Sequence, residues 1–424
     1  MLQVFYNILL YLIQPLILIK LYIRSYKNTA YRKRWAERYG FCSKKIISGG
    51  IILHSVSVGE ILAAIPLIKE LQHRYPAVPI TITTMTPTAS ERVDYIFGKK
   101  VQHMYLPYDL PGSVNRFLNR VQPRLVLIME TEIWPNFIRM LKKRNIPIIL
   151  TNARLSARSA QRYAKINYFI NDIVRCITLI AAQNMEDGQR FLSLGIAHTQ
   201  LSVTGNLKFE ISITPELSAK ALILRNYLAP YCPVWIASST HAGEEEIILH
   251  AHKQLLNQFS NLLLILVPRH PERFNHVIKL TKKAGFSYIT RSSGIKPSIQ
   301  TQIVIGDTMG ELMLLYGIAD LAFVGGSLVQ KGGHNPLEPA AYNIPILMGP
   351  HIINFQDICT KLKKANGLII IKDIDALVRK ISILLINKNY RNSYGRHAFE
   401  VLHQHKGALQ KTLHLLDPYL KKIK

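Results

Sequence analysis

Short apolar segments alternate with helical patterns along most of the chain, in two successive series. Near-continuous apolar segments separated by helices indicate parallel strands that helices cover on both faces. The strands expected in the first series are residues 51–58, 80–86, 125–129, 146–150, 177–182 and 201–203. The strands expected in the second series are residues 235–237, 262–267, 302–305, 321–324, 344–348 and 368–371.

The strand pattern lapses between residues 208 and 233, which suggests a domain boundary near residue 215. A chain of 424 residues is also too long for one typical core. We therefore expect an α/β protein with two doubly wound, Rossmann-like domains, residues 49–214 and 215–424, and a deep cleft between them. Such folds bind ligands at the carboxyl ends of their strands, so a donor and an acceptor are expected to meet in the cleft.

Residues 4–23 are almost wholly apolar, and Asn7, Gln14, Pro15 and Lys20 interrupt them. About 20 apolar residues can cross a bilayer, and the segment lacks the basic start and cleavage site of a secretory signal. We expect residues 1–23 to be a membrane anchor. A buried core helix is the alternative, and Pro15 and Lys20 also leave room for a shallow interfacial helix.

The chain carries 53 lysines and arginines against 26 acidic residues, a formal charge of +27, which calls for an anionic partner. Residues 24–48 form a basic collar after the apolar segment, with only Glu37 opposing the charge. The collar residues are Arg24, Lys27, Arg32, Lys33, Arg34, Arg38, Lys44 and Lys45. By the positive-inside rule the collar stays in the cytoplasm, where it can contact anionic lipids.

The sequence disfavours a nucleic-acid partner, a zinc site and a disulfide framework. Basic residues cluster at the collar without an aromatic-plus-basic RNA motif, so no nucleic-acid partner is expected. The four cysteines lie far apart without a CxxC pair, so neither a zinc site nor a disulfide framework is indicated.

Charged residues follow several expected strands of the first series. Glu60 is placed where a general base belongs, but Ser57 and Glu60 also have the spacing of a helix capping box. Burying the carboxylates of Glu130 and Glu132 costs free energy unless they have a partner or a function. Acidic residues are, however, also favoured at an ordinary helix N-terminus. Glu130 directly ends the apolar run and is the better candidate. Lys208 follows the last strand and can stabilise a departing phosphate, unless it is simply solvated.

Glycine-rich turns follow strands of the second series. Gly325 and Gly326 end one apolar run, and Gly332 and Gly333 precede a segment that opens a helix. Glycines let the backbone approach a phosphate closely, and a helix N-terminus attracts anions. Glu338, just inside the expected helix, can accept both hydroxyl protons of a ribose. This unit indicates a sugar-nucleotide transferase.

Three further turns of the second series support a nucleotide site. Residues 238–246 can cradle a phosphate or cap a helix, and residues 307–312 offer backbone amides. Arg269 can hold a phosphate or carboxylate in bidentate fashion. Each turn is weak evidence alone, but together they place polar clusters at successive strand ends.

The motifs HSVSVGE, TTMTPTASERV, METEIWPN, NARLSARS, GNLKFE, ASSTHAGEEE, VPRHPERF, GDTMGEL and GGHNPLEPAAY occur in this order along essentially the whole chain. In them the chain resembles the lipopolysaccharide 3-deoxy-D-manno-octulosonic acid (Kdo) transferase family. The resemblance implies a GT-B glycosyltransferase that transfers Kdo from CMP-Kdo to lipid IVA, the lipid A precursor. It places the enzyme at the cytoplasmic face of the inner membrane, held by a single N-terminal anchor.

The resemblance also implies roles for individual residues. Glu60 matches the general base that deprotonates the acceptor hydroxyl, which favours the catalytic interpretation over the cap. Glu130 and Lys208 match residues that stabilise the transition state. The CMP-binding residues implied are Pro268, Arg269, Met309, Gly310, Glu311, Asn335, Pro336, Leu337 and Glu338.

The implied reaction is an inverting displacement with a transition state that resembles an oxocarbenium ion. No DxD-type motif appears in the turns described above, so we expect neither a metal nor a cofactor. CMP-Kdo, lipid IVA and anionic inner-membrane lipids are all anionic partners, as the charge requires. The alternatives are a membrane-bound GT-B transferase that uses a UDP-sugar on another lipid, and a soluble sugar-nucleotide epimerase, which the anchor disfavours.

Overall fold

The computed structural model describes residues 2–43 and 45–423. The chain folds into two compact units, residues 2–210 with 406–423, and residues 211–405. Lys44 of the expected basic collar lies outside the described residues.

The first unit is built on a parallel sheet of seven strands in the order β3-β2-β1-β4-β5-β6-β7. The strands are β1 Ile51–His54, β2 Ile80–Thr84, β3 Gln102–Tyr105, β4 Leu125–Met129, β5 Ile148–Ala153, β6 Leu179–Ala182 and β7 Leu201–Val203. The helices are α1 Leu2–Lys27, α2 Val58–Arg74, α3 Pro87–Phe97, α4 Pro111–Val121, α5 Pro135–Lys143, α6 Ala157–Ala164, α7 Asn167–Val174 and α8 Met185–Ser193.

The second unit has a parallel sheet of seven strands in the order β10-β11-β9-β8-β12-β13-β14. The strands are β8 Val234–Thr240, β9 Leu263–Pro268, β10 Tyr288–Thr290, β11 Ile303–Ile305, β12 Leu321–Val324, β13 Ile346–Met348 and β14 Leu368–Ile370. The helices are α9 Pro215–Leu228, α10 Glu244–Leu256, α11 Phe274–Lys283, α12 Leu312–Tyr316, α13 Leu337–Ala341, α14 Gln356–Lys364, α15 Ile374–Ile386 and α16 Lys388–Gln404.

Each sheet buries both of its faces. In β1, Ile51 and Leu53 pack into one core and Ile52 packs into the core on the opposite face. In β8, Trp235 and Ile236 divide between two cores in the same way. Side chains alternate across a strand, so a sheet with helices on both sides needs apolar residues at every position. The prediction of two doubly wound α/β domains is confirmed.

Each sheet contains one strand that the sequence did not predict. β3 and β10 lie at sheet edges, where a strand pairs on one side only. β3 includes Gln102 and His103, and β10 is three half-buried residues. An edge strand does not need an apolar residue at every position, so the sequences of β3 and β10 carry little strand signal.

The last helix, α17 (Ala408–Leu420), belongs to the first unit, whereas the sequence boundary assigned all of residues 215–424 to the second domain. Leu413, Leu416 and Leu420 pack into the core beneath α2. The Glu210 Oε1 atom accepts hydrogen bonds from the backbone N–H groups of Gly407 (2.8 Å) and Leu409 (3.1 Å). The apolar stripe of α17 is visible in the sequence, but the core that receives it is not.

Helix α1 is docked along one face of the first unit. The Gln3 Nε2 group donates to Asn136 Oδ1 at 2.6 Å, and the Asn136 Nδ2 group donates to Asn7 Oδ1 at 2.8 Å. Farther along, the Tyr39 hydroxyl donates to Gln14 Oε1 at 3.1 Å. The helix is long and apolar enough to cross a membrane. Gln3, Asn7 and Gln14, however, face the protein at helical spacing.

The opposite face of α1 is apolar and exposed. Its large side chains are Leu2, Val4, Phe5, Ile8, Leu9, Tyr11, Leu12, Leu16, Ile19, Tyr22, Ile23 and Tyr26. The alternative of a buried core helix is therefore wrong for α1, because a core helix does not expose a continuous apolar face.

Part of the basic collar points inward. Arg34 Nη2 lies 2.7 Å from Glu37 Oε2, and the guanidinium of Arg38 lies 4.3 Å from the centre of the Tyr105 ring. Glu37 and Arg38 are both buried. Arg34 and Arg38 therefore contact side chains within the first unit, and the expectation that they contact lipid headgroups does not hold for them. Collar residues with exposed side chains are Arg24, Arg32, Lys33 and Lys45.

Candidate active site

The predicted catalytic residues of the first unit lie at the carboxyl edge of its sheet. Glu60 is in the first turn of α2, which follows β1, and Glu130 directly follows β4. β1 and β4 are neighbours, and the strand order reverses between them. In doubly wound sheets this switch point is where ligands bind.

Glu60 makes the hydrogen bonds of a capping box. Its Oε2 atom accepts from the Val56 backbone N–H at 2.8 Å, and its Oε1 atom accepts from the Ser57 hydroxyl at 2.8 Å. The Glu60 backbone N–H donates back to Ser57 Oγ at 3.3 Å. The cap that the sequence suggested is therefore present. Burial raises the pKa of Glu60, and the nearby Glu130 carboxylate adds to the rise.

Glu130 and Lys208 form an ion pair, with Lys208 Nζ 3.1 Å from Glu130 Oε1. Lys208 follows β7, which is separated from β4 by two strands. Glu130 adopts a left-handed backbone conformation, φ 55°, which is rare for a non-glycine residue. Such backbone strain is concentrated at functional sites.

A polar network holds the turn that carries Lys208, the 3₁₀ turn Leu207–Phe209. The side chain of Asn152 accepts from the Leu207 backbone N–H at 2.9 Å, and that of Asn206 accepts from the Lys208 backbone N–H at 2.9 Å. Gln183 accepts from Asn206 and donates to the Asn152 carbonyl, each at 2.9 Å. Sequence reasoning missed Asn152 and Gln183, although both directly follow or end apolar strands.

Glu132 also belongs to this group of acids, although the sequence favoured Glu130 over it. Burial and, to a smaller extent, the neighbouring carboxylates of Glu60 and Glu130 raise the pKa of Glu132 from 4.5 to about 7. One lysine cannot balance three neighbouring carboxylates, so one of the acids holds a proton near neutral pH. Glu132 is the acid with the largest shift.

Replacing Glu132 by glutamine is expected to raise the free energy of unfolding above pH 7 by about 3 kcal/mol, and to change it little near pH 4. Between pH 4.5 and 7 the folded protein keeps a proton that the unfolded chain has lost. The stability of the wild type therefore falls as the pH rises through this window, and the variant lacks this fall. Urea unfolding at pH 4, 6 and 8 measures the difference.

Glu91→Gln, on the exposed side of α3, is the matched control and should show no such pH dependence. An equal change for Glu132→Gln at all three pH values would contradict the shifted pKa.

The nine predicted nucleotide-binding residues follow three strands of the second sheet. Pro268 ends β9 and Arg269 follows it, residues 309–311 follow β11, and residues 335–338 follow β12. β11, β9, β8 and β12 are consecutive neighbours in a parallel sheet, so their carboxyl ends lie along one edge. All three segments therefore lie at the same edge of the second unit.

Several of these residues already have internal partners. Glu311 is 3.0 Å from Arg291 Nη2 and accepts from the Thr308 hydroxyl at 2.6 Å. The Asn335 Nδ2 group donates to Glu338 Oε1 at 3.3 Å. These contacts fix the side chains before a ligand arrives.

The glycine turn after β12 does not offer the anion site that its sequence suggested. The buried carboxylate of Glu244 fills it, accepting from the backbone N–H groups of Gly326 (2.7 Å), Ser327 (3.0 Å) and Leu328 (2.9 Å). The expected helix after the second glycine pair is α13, which has only five residues. An anion bound at this edge therefore needs other donors.

Among residues 2–43 and 45–423, no group of three or more histidine, cysteine, aspartate or glutamate side chains is arranged to hold a metal ion. Lys208 pairs with Glu130, and the Val56 backbone N–H and the Ser57 hydroxyl donate to Glu60.

Comparison with known proteins identifies the family. The family model described as 3-deoxy-D-manno-octulosonic-acid transferase (kdotransferase) matches residues 33–211. A 3-deoxy-D-manno-octulosonic acid transferase of Haemophilus influenzae is 50% identical over 421 residues, 99% of each chain. One of Bordetella pertussis is 32% identical over 384 residues, 88% of each chain.

A solved glycosyltransferase from Rickettsia africae shares the fold, with a TM-score of 0.54 and 14% identity over 88% of this chain and 100% of that one. The two seven-stranded sheets thus form a GT-B-like fold, as predicted. Sequence identity along nearly the full length shows that the chain belongs to the 3-deoxy-D-manno-octulosonic acid transferase family.

Proposed function

We propose that this enzyme transfers Kdo from CMP-Kdo to lipid IVA in lipopolysaccharide biosynthesis. The observation that carries the proposal is the grouping of Glu60, Glu130 and Lys208 at the switch point of the first sheet, in a chain of this family. A base, a carboxylate and a cation are what a glycosyl transfer to a hydroxyl needs.

Glu60 is the proposed general base. It accepts the proton of the acceptor hydroxyl while the hydroxyl oxygen bonds to the anomeric carbon of Kdo. The bond from that carbon to the phosphate oxygen breaks, and CMP leaves with the bonding electrons. Attack opposite the leaving group inverts the anomeric centre. Burial raises the pKa of Glu60, which makes its carboxylate a stronger base than an exposed glutamate.

Glu130 and Lys208 stabilise charge during the transfer. The transition state resembles an oxocarbenium ion, so positive charge grows at the sugar while negative charge grows on the leaving phosphate. The ion pair holds a carboxylate and an ammonium group 3.1 Å apart. Neither group has to move in order to stabilise the charges that develop in the transition state. Since basic side chains can neutralise a monophosphate leaving group, the proposed reaction needs no metal.

The test is a mass spectrum of lipid IVA after incubation with the purified protein, CMP-Kdo and EDTA. Addition of one or more Kdo units is the expected result. An unmodified lipid in the presence of folded protein would reject the assignment. Product that forms only when Mg²⁺ replaces EDTA would reject metal independence alone.

Inhibition by nucleotides separates the proposal from a transferase that uses a UDP-sugar. CMP is a product of the proposed reaction and should compete with the donor, whereas UDP should not. Competition by UDP and not by CMP would favour the alternative.

The proposed location is the cytoplasmic face of the inner membrane. Support comes from the apolar face of α1, which is exposed on the surface of the first unit, and from the exposed collar residues next to it. A hydrogen bond donated by Gln3 and hydrogen bonds accepted by Asn7 and Gln14 hold the other face of α1 on the protein. A helix held in this way lies in the membrane interface with its apolar face in the lipid, and does not cross the bilayer.

A cysteine introduced at Leu2 should then be labelled by a membrane-impermeant maleimide in everted inner-membrane vesicles, and not in intact spheroplasts. An in-plane helix keeps its N-terminus on the side of the catalytic units, whereas a spanning helix places it on the other side. The wild-type chain is the control, because it shows how far its own four cysteines are labelled. Labelling of Leu2→Cys only in spheroplasts would contradict the in-plane arrangement.

A further inference from the structure

Strand β5 of the first unit has an irregular carboxyl end. Leu150 pairs with Ile180 of β6 and Ala153 pairs with Ala182, so β5 holds one residue more than its partner between these two pairs. Such a β-bulge redirects the side chains around it. Ala153 packs into the same core as Leu150, although side chains three positions apart in a regular strand point to opposite faces. The bulge therefore reverses the alternation of β5 just before the strand ends.

Asn152 lies in this bulge, and its side chain is fully buried. Its φ is +52°, the left-handed region that few residues other than glycine adopt. Bulges and left-handed residues both recur next to active sites, because each holds a side chain in a direction that a regular strand cannot offer. The carboxyl end of β5 is therefore a place to look for a residue that shapes the site.

The side chain of Asn152 is bonded to the turn that carries Lys208. Its Oδ1 atom accepts from the backbone N–H of Leu207, the residue before Lys208, at 2.9 Å. Gln183 Nε2 donates to the Asn152 carbonyl, and Gln183 Oε1 accepts from Asn206 Nδ2, each at 2.9 Å. The turn is thus attached to Asn152 directly and, through Gln183, a second time.

The same short segment of β5 also holds the turn that carries Glu130. The Glu130 backbone N–H donates to the Thr151 carbonyl at 3.0 Å, and the Thr131 hydroxyl donates to the Arg154 carbonyl. Glu130 and Lys208 are 78 positions apart in the sequence, yet residues 151–154 bond to the turns of both.

We infer that Asn152 is a positioning residue for the Glu130–Lys208 ion pair. Its side chain holds one turn and the backbone on either side of it holds the other, so the bulge sets the 3.1 Å between the ammonium and carboxylate groups. Asparagine suits the position because it tolerates a left-handed backbone and its oxygen can accept a backbone N–H. The inference rests on the proposed function, which gives the pair its role in the transition state.

The test is a double-mutant cycle on kcat for Kdo transfer to lipid IVA, with rates normalised to folded protein. Asn152→Gly permits the left-handed backbone and removes only the side chain. It should lower kcat by about 10- to 100-fold, the cost of displacing a catalytic group by about 1 Å, and leave KM for CMP-Kdo unchanged. In a Lys208→Met background the same substitution should lower kcat by about twofold at most, because the group that it positions is already absent.

Asn145→Gly is the matched control. Asn145 immediately precedes the other end of the same region of chain, is exposed, and is also left-handed, with φ 57°. Its replacement should leave kcat unchanged in both backgrounds. Gln183→Met is the second variant, at a half-buried side chain, and applies the same criteria if Asn152→Gly does not fold. It should lower kcat less strongly, and again only while Lys208 is present.

Wild-type kcat in Asn152→Gly would overturn the inference. An equal loss of kcat with and without Lys208 would also overturn it, because a general structural role acts in both backgrounds alike. Both results require an active wild type and leave the proposed function standing. A wild-type protein that transfers no Kdo would overturn the proposed function itself, and this inference with it.

Discussion

Replacing Glu60 by glutamine should lower kcat for Kdo transfer by about 10²- to 10⁴-fold, the range that general-base catalysis supplies. Glutamine has nearly the same shape but cannot take the acceptor proton. The wild-type rate should rise with pH as Glu60 ionises, with a midpoint above the ordinary carboxyl pKa, because burial raises the pKa of this group. The variant should lack this rise. Initial rates with CMP-Kdo and lipid IVA between pH 5 and 9 provide the measurement.

The capping box makes a second variant necessary, because Glu60 has a structural role as well. Ser57→Ala removes the hydroxyl from the cap but leaves the carboxylate in place. It should lower the free energy of unfolding by about 1 kcal/mol and change kcat by much less than Glu60→Gln. If both variants lose activity in proportion to their lost stability, the cap explains the effect and Glu60 is not the base.

Replacing Lys208 by methionine should reduce kcat by about 10²- to 10³-fold, comparable with the loss of one charged donor at an active site. The ammonium group forms an ion pair with Glu130, at 3.1 Å, and two further acids lie nearby. Its removal therefore leaves the carboxylates unbalanced as well as removing a cation from the transition state. Stopped assays with saturating substrates measure the change in kcat.

A double-mutant cycle separates these two effects. Lys208→Met alone should destabilise the protein, because Glu130 is left half-buried without its partner. Adding Glu130→Gln should restore much of the stability but none of the activity. Lys69→Met, an exposed lysine of α2, is the control and should change neither quantity. Activity that recovers together with stability would show that the pair only supports the fold.

The sequence predicted the strands that have continuous apolar residues and missed two edge strands, β3 and β10. All twelve expected strands exist, although several are shorter at one end, because residues such as Val56 and Thr86 already belong to turns. β3 and β10 gave no signal because an edge strand does not need apolar side chains on both faces.

Contacts within the site were harder to predict than its residues. The sequence named Glu130 and Lys208, but a pairing between residues 78 positions apart depends on how the turn after β7 bends back. Glu244 reads as an ordinary helix start, so nothing in the sequence shows that its carboxylate fills the glycine turn. One signal was available: Gln3, Asn7 and Gln14 interrupt the apolar N-terminus at helical spacing, which marks a docked face.

The return of α17 to the first unit has a consequence for synthesis of the chain. Residues 406–423 complete a core whose other members end near residue 210, so the first unit stays unfinished while the ribosome makes the whole second unit. The second unit is continuous in sequence and can fold as it emerges. We therefore expect the unit that is started first to be finished last. A chain that stalls or is clipped before residue 406 loses part of the first unit's core, whereas all residues of the second unit are present.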